Sequence, residues 1–167
     1  MPRVGLVYWD SCIFLDALQQ TPEWRSVLAA ILTAARAGDV RIVTSALTLA
    51  EVAHGGNAAG GPADETTIRG LFQNPYIIVR DLDRETATQA RRIVREHGLK
   101  PPDAVHVATA LAAGVSVLQT RDGSGRKRGL LDRTGRIGNP PLSIEVPSWS
   151  EQPRLLAMPE GPTGEGK

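Results

Sequence analysis

Four short apolar runs, VGLVYW (4–9), VRIV (40–43), YIIV (76–79) and VSVL (115–118), recur along the chain with stretches of helical apolar spacing between them. Runs of four to six residues, rich in β-branched and aromatic side chains, are too short for helices and read as buried strands. Parallel strands need crossover connections, and helices between successive strands supply them. The sequence therefore predicts an α/β fold, three layers deep (α/β/α), around a central, mostly parallel sheet of four to five strands. LSIEV (142–146) is the candidate fifth strand.

The intervening stretches carry start and stop signals. Ser11 stands ready to cap CIFLDALQQ, whose Ile13, Phe14, Ala17 and Leu18 follow helical spacing. Thr21-Pro22-Glu23 reads as a second helix start, with proline in the first turn and Gly38 as the stop. Thr44 or Ser45 opens a helix through Glu51 to the Gly55-Gly56 break, and weaker helical spacing covers 64–73. Asp83 to His97 closes on Gly98, and Pro101-Pro102 opens a helix with Asp103 in its first turn. Residues 57–63 read as a flexible link and residues 121–140, rich in glycine and arginine, as a basic loop. The predicted domain is 1–146, followed by a flexible Pro/Gly-rich tail over 147–167.

The 167 residues carry a net charge of +1 and 41% hydrophobic residues, which is enough chain for one soluble domain with a real core. The single cysteine, Cys12, excludes an internal disulfide or a multi-cysteine zinc site and points to a reducing compartment. No signal-peptide pattern and no span of membrane length occur, so a cytoplasmic protein without membrane contact is expected. The near-neutral total hides a local excess: Arg121, Arg126, Lys127, Arg128, Arg133 and Arg136 face only Asp122 and Asp132. Arg121, Arg126, Lys127 and Arg128 are candidate phosphate contacts.

In an open α/β sheet, ligands bind beyond the carboxyl ends of the strands. Asp10 follows the first strand and Asp122 the fourth, Glu51 lies in the helix after the second, and Asp103 opens the helix before the fourth. Right-handed crossovers that set the first and fourth strands side by side would make Asp10 and Asp122 neighbours. Two unit charges ~4 Å apart repel by roughly 4 kcal/mol at an effective dielectric of 20, so clustered acids need a proton or a cation. Oxygen ligands of this kind favour Mg²⁺ or Mn²⁺ and suit phosphodiester hydrolysis. Each acid also has a plain structural use. Asp10 can cap a helix, Asp103 can complement a helix dipole, and Asp122 can hold a turn; Glu51, inside ALTLAEVA, has no such ready use.

YWDSCIFLDAL, SALTLAEVAHG, KPPDAVHVATAL and VLQTRD, taken in this order and spacing, resemble the four successive motifs of PIN domains, the nuclease fold of VapC-type toxins. The resemblance spans about residues 4–122. It implies an endoribonuclease that uses Mg²⁺ or Mn²⁺ to activate water, leaves a 5′-phosphate, forms a homodimer and is held by a cognate antitoxin protein. Asp10 and Asp103 match the principal metal-binding acids, and Glu51 and Asp122 complete the quartet. Thr120 matches the small hydroxyl residue two before the last acid, and Ser11 the hydroxyl beside the first. The departure is Cys12, where many members carry asparagine.

Other readings are weaker. Cys12 lacks a histidine near in sequence to act as its base, and reads as a small buried thiol. His106 shares a helix face with Asp103, which leaves contact with the site open beside the more ordinary packing or surface role, and H-E-x-x-H is absent. The glycine-rich stretches 55–61 and 123–129 match no phosphate-binding loop, and the aromatic residues read as core. Two alternatives to a toxin stand: a non-catalytic PIN-like module that binds RNA or protein, and a host RNA-processing nuclease. Retention of four mutually repelling acids counts against the first.

Overall fold

A computed structural model describes residues 4–54, 64–124 and 128–150. The first apolar run forms β1 (Gly5–Trp9), and its alternation sets the plan of the molecule. Val7 and Trp9 enter one core and Tyr8 the other, the period-two split of a strand buried on both faces. The other strands are β2 (Val40–Ser45), β3 (Ile77–Arg80), β4 (Val117–Gln119) and β5 (Ser143–Glu145). All pair in parallel in the order β3-β2-β1-β4-β5. Tyr8 lies opposite Leu118 and Trp9 opposite Gln119, so the first and fourth strands are neighbours. The chain runs from β1 toward β2 on one side and returns to β4 on the other, which makes the β1–β4 boundary the switch point of the sheet.

Helices α1 (Ser11–Gln19), α2 (Arg25–Ala37), α3 (Ala46–Glu51) and α4 (Glu65–Phe72) belong mainly to one side. There Ile13, Phe14, Leu28 and Ile31 meet Val7, Trp9, Ile42 and Ile77. Helices α5 (Arg84–His97) and α6 (Pro101–Ala112) cover the other face, where Ile93, Val107 and Ala108 meet Tyr8, Val43, Leu118 and Ile144. The three-layer α/β/α arrangement follows. Local chemistry fixes the ends: Ser45, Asp64 and Asp83 accept N-cap hydrogen bonds, and Gly38 and Gly98 take the left-handed conformation at C-caps.

Three expectations need correction. The second helix begins at Arg25 rather than at Pro22, because the Thr21 hydroxyl donates to Asp16 (2.7 Å) and leaves residues 21–24 as a turn. The segment after β4 is not an open loop. Leu130 opens a short 3-10 helix (Leu130–Arg133) and joins Ile137 and Leu142 in the core, three apolar residues too widely spaced to show periodicity. The tail boundary at 146/147 also moves, since Pro147 is buried, Trp149 packs on the α1/α2 core and the Ser148 carbonyl accepts from Gln119 (2.9 Å). The expected link at 57–63, Arg126 and Lys127, and the tail from 151 lie outside the described residues. Among the described residues, no helix is long and apolar enough to cross a membrane.

Candidate active site

Asp10 occupies the N-cap position of α1 with extended backbone, yet its carboxylate makes no cap bond. It turns instead toward β4. The Thr120 hydroxyl donates to Oδ2 at 2.5 Å, and the Cys12 thiol donates to Oδ1 at 2.8 Å. Capping is therefore not its main engagement, although the Ile13 N–H of the first turn still helps to lower its carboxyl. Asp10 is 5% exposed, and burial pushes its carboxyl above the usual range, against the hydrogen bonds from Cys12 and Thr120 and the proximity of His106.

Cys12 is more than a packed thiol. Its thiol donates to Asp10 while its sulfur accepts the Arg121 N–H at 3.2 Å, so it orients the acid. Burial, then the Asp10 charge, pushes the thiol well above its ordinary value, which keeps it a neutral donor and disqualifies it as a nucleophile.

Thr120 joins the two strand ends, because its oxygen also accepts the Asp122 N–H at 2.9 Å. Asp122 does keep a turn duty: Oδ2 accepts the Leu130 N–H at 2.8 Å and closes the loop from 122 to 130. Asp103, half-buried in the first turn of α6, is pushed above the usual range by burial, then by the charge of Asp122 and, less, of Asp10. His106 and Lys100 oppose this. Acids from β1, α6 and the end of β4 thus share one electrostatic field, and no lysine or arginine forms an ion pair with them among the described residues.

Glu51, at the end of α3, is held below the usual carboxylate range chiefly by the hydrogen bond from His106, with a smaller one from Ser11. Ser11 therefore serves Glu51 rather than a helix cap. Among the described residues, no three His, Cys, Asp or Glu side chains stand close enough to enclose a metal ion. Asp10, Asp103 and Asp122 are neighbours in charge without forming a closed cage, and Glu51 is joined to them through His106 and not directly.

The basic residues separate. Arg121 pairs through Nε with Asp16, which is 1% exposed, so this guanidinium is tied to α1 and is not a free cation of the loop. Arg128 is exposed. Sequence reasoning missed Asp16, an acid inside the apolar run CIFLDAL, although that anomaly is the one that marks Glu51. It also underweighted His106 and read Tyr8 as core only, whereas the two are hydrogen-bonded at 2.8 Å.

A parallel sheet with acids gathered at its switch point defines a class of α/β domains with one polar centre. The PIN domain pattern matches residues 7–128, and the chain belongs to that family. Solved structures share the fold. VapC20 of Mycobacterium tuberculosis, described as a Sarcin-Ricin loop cleaving toxin, aligns with a TM-score of 0.57 at 14% identity over 70% of this chain and 90% of its own. VapBC2 from Rickettsia felis, bound to a DNA fragment from their promoter, gives 0.56 at 18% identity over 84% and 98%. A toxin-antitoxin complex from Klebsiella pneumoniae gives 0.53 at 22% identity over 70% and 87%. At these identities the likeness is one of fold. No curated protein sequence matches the chain.

Proposed function

We propose that this PIN domain is a Mg²⁺- or Mn²⁺-dependent endoribonuclease and the toxin of a VapBC-like pair, working in the cytoplasm as a homodimer and held by a cognate antitoxin. The observation that carries this reading is the shared field of Asp10, Asp103 and Asp122, which raises Asp103 against the weaker opposition of His106 and Lys100, with no lysine or arginine ion-paired to these acids among the described residues. The donor set fits a hard cation, since it offers carboxylate oxygens with supporting hydroxyls. The lack of a closed cage is compatible with Mg²⁺, which keeps several waters and takes only one or two protein carboxylates.

Asp10 and Asp103 would hold the ion, with Glu51 and Asp122 completing the charge and orienting water. When bound, such an ion supplies Lewis acidity toward the phosphate and lowers the pKa of a coordinated water. The chain's own groups prepare the site. Cys12 and Thr120 fix both oxygens of Asp10 from behind, and Glu51 is kept ionised as an acceptor. Arg128, with Arg126 and Lys127, would meet RNA phosphates without reading sequence.

The test is the thermal midpoint of wild type and Asp103→Asn with and without millimolar Mn²⁺, followed by cleavage of RNA. A ligand at 100 times its Kd stabilises the native state by about 2.7 kcal/mol. The midpoint should rise in wild type only, and cleavage should fail in the variant. Equal response, or none in either protein, would overturn the reading and favour a non-catalytic binding module.

A further inference from the structure

His106 is 2% exposed, and both of its ring nitrogens are engaged inside the protein. Nδ1 meets the Tyr8 hydroxyl at 2.8 Å, and Nε2 meets Glu51 Oε2 at 2.8 Å. Tyr8 is fully buried in β1 and sets its ring edge-on to the imidazole, at a centroid distance of 5.9 Å and 67° between planes. A chain of two hydrogen bonds therefore runs from the sheet, through α6, to the last residue of α3.

The proton positions follow from the ends of that chain. An ionised carboxylate only accepts, so Nε2 must carry hydrogen. In the neutral ring Nδ1 is then the acceptor, and Tyr8 donates to it. Glu51 thus selects the tautomer, and Tyr8 satisfies the other ring nitrogen and sets the ring plane. A leucine would fill the same space with no polar group to satisfy, so packing alone does not call for this arrangement.

We propose that His106, held by Tyr8, is a positioning residue that fixes the Glu51 carboxylate in one place at the end of α3, tied to the helix that carries Asp103. Its purpose rests on the nuclease reading, while its geometry does not. His106 stands one helical turn after Asp103 and so links the acid of α6 to the acid of α3 through one rigid helix. Glu51 has a side chain 27% exposed at the end of a six-residue helix, where it would otherwise sample several rotamers.

The test begins with ¹⁵N-histidine-labelled wild type, Glu51→Gln and Tyr8→Phe, reading the imidazole nitrogens by NMR. The expected result is a single Nε2–H tautomer in wild type, a displaced Nε2–H signal in Glu51→Gln, and in Tyr8→Phe a displaced Nδ1 signal with the Nε2–H retained. Mn²⁺-dependent RNA cleavage is then measured for His106→Leu and His106→Gln. The leucine variant should lose about 10–100-fold in kcat with little change in KM, and glutamine, whose amide can still donate to Glu51, should recover most of it. An Nδ1–H tautomer, or an Nε2 signal indifferent to Glu51→Gln, would overturn the proposal even if His106→Leu failed to fold. So would equal impairment of the leucine and glutamine variants, the mark of a packing role. Wild type that shows the Nε2–H signature and its response to Glu51→Gln, yet neither binds Mn²⁺ nor cleaves RNA, would overturn the nuclease reading and leave the positioning of Glu51 supported.

Discussion

Thr120 donates its hydroxyl to Asp10 across 110 residues of sequence, and through that bond the ends of β4 and β1 act as one unit. The same oxygen accepts the Asp122 N–H, so one buried hydroxyl serves two acids. Thr120→Val keeps the shape but takes a donor from a buried carboxylate and an acceptor from a backbone N–H. Such losses cost about 1–3 kcal/mol. In a chain of this size, each kcal/mol is worth about 2–4 °C in midpoint. Denaturant unfolding should show this loss for valine and its recovery for Thr120→Ser. A valine variant as stable as wild type would show that the bond holds nothing.

The metal-free protein should lose stability as pH rises through the acid range at two positions. Asp10 and Asp103 are both held above their ordinary value of 3.8, so at these sites the native state binds protons that the unfolded chain has released. Stability then falls with rising pH from the ordinary value through the raised ones. Glu51 has the opposite sign: its lowered value contributes stability at neutral pH that is lost as pH falls through it. Asp103→Asn should flatten the first slope and raise the neutral-pH midpoint without metal. Asp103 is only half-buried, so solvent screening holds the gain to a fraction of about 1 kcal/mol. Midpoints of both proteins across pH, in chelator, test the sign.

The strands were legible because β-branched runs and helix punctuation are local signals, whereas the placing of β1 beside β4 was a condition in the sequence that the sheet order fulfils. It is that order which brings Asp10 and Asp122 to the same edge of the sheet. The roles of His106, Tyr8 and Asp16 were not legible for one physical reason. Each is a lone polar group on an apolar face whose partner is created by tertiary packing: Glu51 lies 55 residues from His106, and His106 lies 98 from Tyr8. Periodicity assigns such residues to a face but names no partner. Cys12 was obscured differently, since a buried thiol looks like a small apolar group until an acceptor such as Asp10 is placed against it. The segment around Leu130 shows a third limit, with its burial set by three scattered residues and no repeat.

Gly129 is required by the closeness of the loop that Asp122 ties down. A Cβ there would stand 2.5 Å from the Gly123 nitrogen and 2.6 Å from Asp122 Oδ2. Both neighbours are fixed, one as backbone and the other by its bond to the Leu130 N–H. Gly129→Ala must therefore push the loop away from Asp122, at a cost of about 1–3 kcal/mol for overpacking. The backbone of Gly129 is extended, so the cost comes from the clash and not from its dihedral angles. Denaturant unfolding would measure it, together with faster hydrogen exchange at the Leu130 amide. Unchanged exchange at Leu130 would mean that the loop absorbs the methyl elsewhere.

Arg121 and Asp16 form the remaining test, because the same arginine can be read as a phosphate contact or as an internal ion pair. Asp16 is 1% exposed and also accepts from Thr21 at 2.7 Å. Removing Arg121 leaves a buried carboxylate with half its support. Breaking a fully buried pair costs 3–5 kcal/mol, and the 36% exposure of Arg121 with the surviving Thr21 bond lowers this to about 2 kcal/mol. Arg121→Gln should therefore destabilise the fold, while adding Asp16→Asn should cost less than the sum of the two single changes. RNA binding separates the roles. Replacing exposed Arg128 should flatten the dependence of log K on log salt by about 0.7 for a single strand, and Arg121→Gln should leave that slope unchanged. If Arg121→Gln instead flattened the slope and left stability intact, its ion pair with Asp16 would be incidental and its work would lie on the RNA.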